Sequence, residues 1–194
     1  MKKTIFIAFI VMSAFLSGCK PSRDKSAIEI QNFEKDLYSQ QAFTFDKVKG
    51  DSLLKMYDDF ITRFPNDSLS PVFLFKAANL AITEGDGNKA LSFLDRFIQK
   101  YPDHPKVPVC SFFKGYVYEN ILKNMDMAKE NYLFYIEKYP NDVFVKDARM
   151  AIKNLGKTPE QMIKEFEAMQ KLDSVRKADS LANLRLRKSR SASH

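Results

Sequence analysis

The chain has 194 residues, 45% of them hydrophobic and 28% charged, with a formal net charge of +7. Six glycines and eight prolines argue against a loop-rich all-β fold, and two cysteines cannot build a disulfide framework. The two histidines, His104 and His194, are too few and too far apart in sequence to suggest a zinc site.

The first segment in chain order carries the clearest signal. Lys2 and Lys3 form a positive start, Thr4 to Phe15 is an almost unbroken apolar run, and Leu16-Ser17-Gly18-Cys19 follows. A positive start, an apolar stretch and small residues before a cut are the parts of a secretory signal. The apolar stretch falls short of the roughly 20 residues that span a bilayer. The Leu-Ser-Gly-Cys string resembles the lipobox of bacterial lipoproteins. That resemblance implies removal of residues 1–18 as a signal peptide, with lipid added to the Cys19 sulfur and to the freed amine. A thiolate suits the first transfer because it is the good nucleophile among side chains. Several acyl chains give stable anchoring where one binds only marginally. Lys20 stands where, in the better-studied sorting systems, Asp retains a lipoprotein at the inner membrane, so the resemblance favours the outer membrane, facing the periplasm. Residues 19–26 are polar and read as a lipidated tether. With Cys19 consumed by lipid, Cys110 has no disulfide partner within the chain and is expected as a small buried apolar residue.

The body, residues 27–156, opens with Ile28, Ile30, Phe33, Leu37 and Tyr38 on a first helix, joined by Ala42 to Gly50 to a helix starting near Asp51. Internal repetition then dominates. Tyr57 begins YDDFITRFPND, Leu94 begins LDRFIQKYPDH and Tyr132 begins YLFYIEKYPND, so Pro65, Pro102 and Pro140 recur with periods of 37 and 38 residues. Periods of this size mean stacked supersecondary units. Leu91, Leu94, Phe97 and Ile98 lie at helical spacing, as do Tyr132, Tyr135, Ile136 and Tyr139. Each proline stops its helix, and the Asp or Asn after it is expected to cap the next. Those next helices are expected over Val72 to Glu84 and Val109 to Lys123, with Gly85-Asp86-Gly87 and Asn124-Met125-Asp126 as the tight turns within units. Phe144, Ala148, Ala151, Ile152 and Leu155 mark a closing helix stopped by Gly156. In residues 157–194, Thr158-Pro159-Glu160-Gln161 has the form of a capping box opening a C-terminal helix. Its Met162, Ile163, Phe166 and Met169 are expected to seal the last repeat, and it ends in a basic tail.

These residues carry a resemblance to the tetratricopeptide repeat, whose pattern places Ala, an aromatic four later and Pro twelve after the Ala. Ala128, Tyr132 and Pro140 match it; Ala90, Leu94 and Pro102 match with Leu for the aromatic; Leu53, Tyr57 and Pro65 match apart from the Ala. Gly115 and Tyr118 match the Gly-x-x-Tyr of the first helix, and Ala78 and Ala81 stand at the same place. The period exceeds the standard 34. The implied fold is all-α: a helical-hairpin solenoid of about three and a half units with a C-terminal capping helix. Together with the lipobox, the pattern looks like the periplasmic β-barrel-assembly lipoproteins of the BamD type, and like envelope tetratricopeptide proteins that assist peptidoglycan synthesis or secretion.

Function is read from what the body offers. Losing Lys2 and Lys3 leaves +5, and residues 171–194 alone hold seven Lys and Arg against two Asp, so residues 19–170 are neutral overall. A neutral body with a basic tail is unlike a nucleic-acid domain, and no nucleic-acid partner is expected. No phosphate loop, HExxH or GxSxG occurs, so no catalytic, metal or cofactor site is expected beyond the covalent lipid on Cys19. The working reading is a membrane-anchored interaction scaffold for envelope proteins or peptides; a ligand-capturing or enzymatic lipoprotein is the alternative. Alignment on Pro65 and Pro102 pairs Phe75 with Phe112 and Asn79 with Tyr116. In the family these positions face the concave groove, so these four are the candidate partner contacts; packing between helices is the competing reading for the two phenylalanines. The sequence leaves oligomeric state and the partner's identity open.

Overall fold

The structure is a computed structural model, and it describes residues 21–39 and 46–191. Cys19, the apolar leader, residues 42–45 of the Ala42 to Gly50 connection and His194 lie outside the described residues. Eight helices follow one another, with no strand among the described residues: α1 (Arg23–Ser39), α2 (Lys47–Arg63), α3 (Leu69–Thr83), α4 (Gly87–Lys100), α5 (Val107–Asn120), α6 (Met125–Lys138), α7 (Val145–Asn154) and α8 (Pro159–Ser191). From α1 to α7 each helix packs mainly on the next, and each repeat on the adjacent one, as in a solenoid. The pairs α1–α2, α3–α4 and α5–α6 are the three units, and α7 begins a fourth.

The repeated sequence produces repeated local geometry. Phe64, Tyr101 and Tyr139 end α2, α4 and α6 with φ between −126° and −129° and ψ of 57° to 58°. The following proline cannot continue the helix. The carbonyls of these aromatics accept the N–H groups of Asp67, His104 and Asp142, each at 3.0 Å. Entry into α3, α5 and α7 differs from expectation. Ser68, Lys106 and Phe144 occupy the cap positions without side-chain cap bonds. The residue two after each proline closes the turn instead: Asp67 Oδ1 accepts the Leu69 N–H at 2.8 Å, His104 Nδ1 that of Lys106 at 3.1 Å, and Asp142 Oδ1 that of Phe144 at 3.2 Å. These are side-chain turns of the Asx kind. Side-chain caps are found on the second helices, where Asp46, Asp86 and Asn124 accept from Lys49, Lys89 and Met127 at 3.0–3.1 Å.

Burial follows the helical spacing. Ala90, Leu94 and Phe97 are fully buried on α4, and Ala128, Tyr132 and Tyr135 on α6. At Gly115 two helices approach closely: a Cβ there would stand 2.5 Å from the Tyr132 ring. Ala78 and Ala81, at the matching places on α3, are fully buried. Cys110 is buried and free, and its burial pushes the thiol up to about 12, which keeps it protonated.

Three further expectations are corrected. α1 begins at Arg23 with Ser26 and Ala27 already buried, so the polar stretch 23–26 belongs to the fold and not to a tether. The cause is tertiary: Arg23 Nε and Nη2 donate to the Asp67 carboxylate at 2.8 and 2.9 Å, a bidentate pair. α2 begins at Lys47, not near Asp51, because Asp46 caps it. The third concerns the seal. The capping box of α8 forms, with Thr158 N–H to Gln161 Oε1 at 2.9 Å and Gln161 N–H to Thr158 Oγ1 at 3.3 Å, and Gly156 takes the left-handed φ of +73°. Yet Met162, Ile163, Phe166 and Met169 remain 38–59% exposed. They flank a shallow crevice with Met150 of α7 and do not close the stack.

Candidate interaction surface

The first helices of the units, α1, α3, α5 and α7, carry the candidate contacts. α1 and α3 are joined by charge: Lys76 Nζ donates to Glu34 Oε1 and Oε2 at 2.8 and 2.7 Å, and the Tyr57 hydroxyl donates to Glu34 Oε1 at 2.7 Å. One unit on, Phe113 stands where Lys76 stands, and α3 and α5 are joined by ring contact, with Phe75 and Phe113 stacked at 6.4 Å. Burial, then the bond to Glu34, raises the Tyr57 phenol far above its ordinary range; burial and Glu119, which accepts the Tyr132 hydroxyl at 2.8 Å, do the same for Tyr132. Both tyrosines are therefore fixed hydrogen-bond donors that lock the two helices of a unit together.

Phe75 and Phe112 occupy equivalent joints between units. Phe75 is half-buried, 6.0 Å from the Phe97 ring and beneath Lys106 Nζ at 4.4 Å. Phe112 is half-buried, 5.6 Å from both Tyr132 and Tyr135 and stacked at 5.1 Å on Phe144. Phe144 thus takes the place in the third joint that Lys106 takes in the second. Both phenylalanines contribute to packing while keeping part of the ring in solvent. Asn79 is half-buried. Tyr116 is 38% exposed, its ring 6.5 Å from Phe113. Phe75, Phe113 and Tyr116 therefore form a row across α3 and α5.

Sequence reading missed Phe113, which links that row, and Lys106, which covers Phe75. The signal for Phe113 lay in its spacing: Phe113 and Tyr116 are three apart on one helix, so they are neighbours on its surface. Lys106 carried none, because its role depends on the bend of the proline turn.

His104 accepts a backbone N–H through Nδ1 and sets its ring 5.1 Å from Phe97. No group of three His, Cys, Asp or Glu among the described residues is disposed to hold a metal ion. Glu84 has both carboxylate oxygens buried without a hydrogen-bond partner among the described residues, and desolvation, then Asp51, raises its pKa.

A family model described as tetratricopeptide repeat matches residues 73–104, which hold most of α3, all of α4 and the proline turn after it. No curated protein matches the chain. The matched hairpin and its turn recur on either side at periods of 37 and 38 residues, so the chain is an all-α solenoid of tetratricopeptide-like repeats.

Proposed function

We propose that the protein is an interaction scaffold of the bacterial envelope, held to a membrane by acylated Cys19 and docking a protein or peptide against the first helices of its repeats. The observation that carries the docking surface is the aromatic row Phe75–Phe113–Tyr116, ending in a Tyr116 ring that is 38% exposed. Aromatic side chains supply large contact area, and a few such residues dominate most interfaces. Repeat solenoids present this kind of extended surface to partners. The lipobox string Leu16-Ser17-Gly18-Cys19 supports the anchor, and Lys20 in place of Asp supports the outer membrane, with the body in the periplasm. The BamD-type resemblance makes outer-membrane protein assembly the first process to examine.

A photocrosslinking residue at position 116 in intact cells tests the docking surface. It should capture one dominant envelope protein, and Tyr116→Ala should abolish co-purification of that protein while barely moving Tm. Undiminished co-purification with Tyr116→Ala would reject the surface. Fatty-acid labelling checks the anchor separately: Cys19→Ala should remove all label.

A further inference from the structure

The start of α1 is fastened to one edge of the solenoid. The Arg63 guanidinium donates to the Pro21 carbonyl and, at 3.2 Å, to Ser26 Oγ. Arg23 is locked to Asp67 in the first proline turn. That turn touches the next one, since the Tyr101 hydroxyl donates to the Pro65 carbonyl at 3.2 Å. Pro21 is two residues from Cys19, and two residues reach at most about 7 Å. Pro21, two residues after the proposed acylation site, is thus held beside the first proline turn.

The same edge carries a row of cations. Arg63, Lys100 and Lys138 occupy equivalent repeat positions, each over the aromatic ring of its own turn: Arg63 at 4.9 Å from Phe64, Lys100 at 5.7 Å from Tyr101 and Lys138 at 5.6 Å from Tyr139. Exposed Lys106 adds to the row. Of the acidic groups in these turns, Asp67 is paired with Arg23 and Asp142 accepts the Tyr135 hydroxyl, leaving Asp103 exposed. Val143 is an apolar side chain held 79% exposed on the third turn.

We propose that this edge is a membrane-contact face: the proline turns lie against anionic lipid headgroups, with Lys100, Lys106 and Lys138 meeting the phosphates. The proposal rests on the acylation of Cys19. Basic residues close to a membrane are attracted to its negative surface, and a short anchor makes that attraction intramolecular, at high effective concentration. The opposite edge, with the turns at Gly85 and Lys123, then points away from the membrane, and the first helices stand open sideways to a partner.

The test couples the chain from Cys19 onward, through the Cys19 thiol, to maleimide-headgroup vesicles of phosphatidylglycerol and phosphatidylcholine; buried Cys110 stays unreacted. Lysine reactivity toward an acylating reagent is then read residue by residue. Lys100, Lys106 and Lys138 should lose reactivity severalfold relative to uncoupled protein, while exposed Lys123 and Lys129 keep theirs. Pure phosphatidylcholine vesicles, or high salt, should largely restore the three. Equal protection of both edges, no protection, or protection unchanged on neutral vesicles would each overturn the proposal. Because the coupling is chemical, these outcomes do not depend on whether cells acylate Cys19, which fatty-acid labelling decides independently.

Discussion

Lys123 and Gly85 occupy the same place in consecutive repeats, and both have left-handed backbones, with φ of 55° and +72°. Glycine suits the position. At Gly85 the chain closes α3 with a double bond pattern, Asp86 N–H to Ala81 O at 2.9 Å and Gly85 N–H to Ile82 O at 3.1 Å, the Schellman arrangement. For Lys123 the left-handed region costs roughly 1–2 kcal/mol, and its side chain is exposed, so little contact offsets the strain. Lys123→Gly should therefore stabilise the protein. The glycine gives back about 0.5–1 kcal/mol in unfolded-chain entropy, which leaves a net gain of a few tenths to about 1 kcal/mol. Urea melts of the two proteins decide it: an unchanged or lower midpoint for the variant means that the strain is absent. Gly85→Ala supplies the mirror test. A Cβ there meets nothing within 4 Å, so any loss is conformational.

Element boundaries show which parts of the fold the sequence carries locally. The proline turns, the capping box of α8 and the stop at Gly156 rest on contacts within a few residues, and these were legible. The start of α1 was not, because Arg23 is held by Asp67, 44 residues away. At the entry to α3, α5 and α7 the turn is closed by the residue after the expected cap, Asp67, His104 or Asp142, and α3 and α5 begin at Leu69 and Val107 instead of Val72 and Val109, because short polar side chains suit a turn as well as a cap. The candidate contacts were legible as repeat positions, but their surroundings were not: Lys106 and Phe144 meet Phe75 and Phe112 only after the turns fold back. The seal by α8 failed for a different reason. Apolar residues at helical spacing show that a helix has a face, not that a neighbour lies against it, and Phe166 is 57% exposed. Removing residues 159–194 should consequently change Tm little. Among the described residues α8 has an ion pair to the linker before it, Lys157–Glu165 at 2.7 Å, whose Glu165 is 49% exposed, and such surface pairs contribute about 0–1 kcal/mol. A drop of many degrees on truncation would show that α8 supports the stack after all.

Across the whole molecule the core is in two parts, and α5 belongs to both. The larger part runs from Ile30 and Leu37 of α1 through Tyr57, Phe73, Leu74 and Phe97 to Cys110 and Val117 of α5. The smaller is built from Ala128, Tyr132, Tyr135, Val145 and Ala148, with Phe112, Phe144 and Ile152 packed against it. Phe113 faces the first and Phe112 the second, so adjacent residues of one helix tie the halves together. In a chain whose repeats contact only the adjacent repeats, stability is a sum of local terms and the ends open independently. The smaller core, with fewer buried side chains and an unsealed end, should open first. Native-state hydrogen exchange should therefore find α6 and α7 exchanging through a partial opening well below the free energy of global unfolding, with α2 to α4 the best protected. Phe112→Ala sharpens the test. A fully buried Phe→Ala change costs roughly 3–5 kcal/mol, and a half-buried ring with four aromatic neighbours should cost about 2 kcal/mol on the same scale. That loss should appear in the amides of α6 and α7 and leave α2 to α4 nearly unchanged. An equal loss of protection in every helix would mean that the solenoid unfolds as a single unit and that the division at α5 has no energetic meaning.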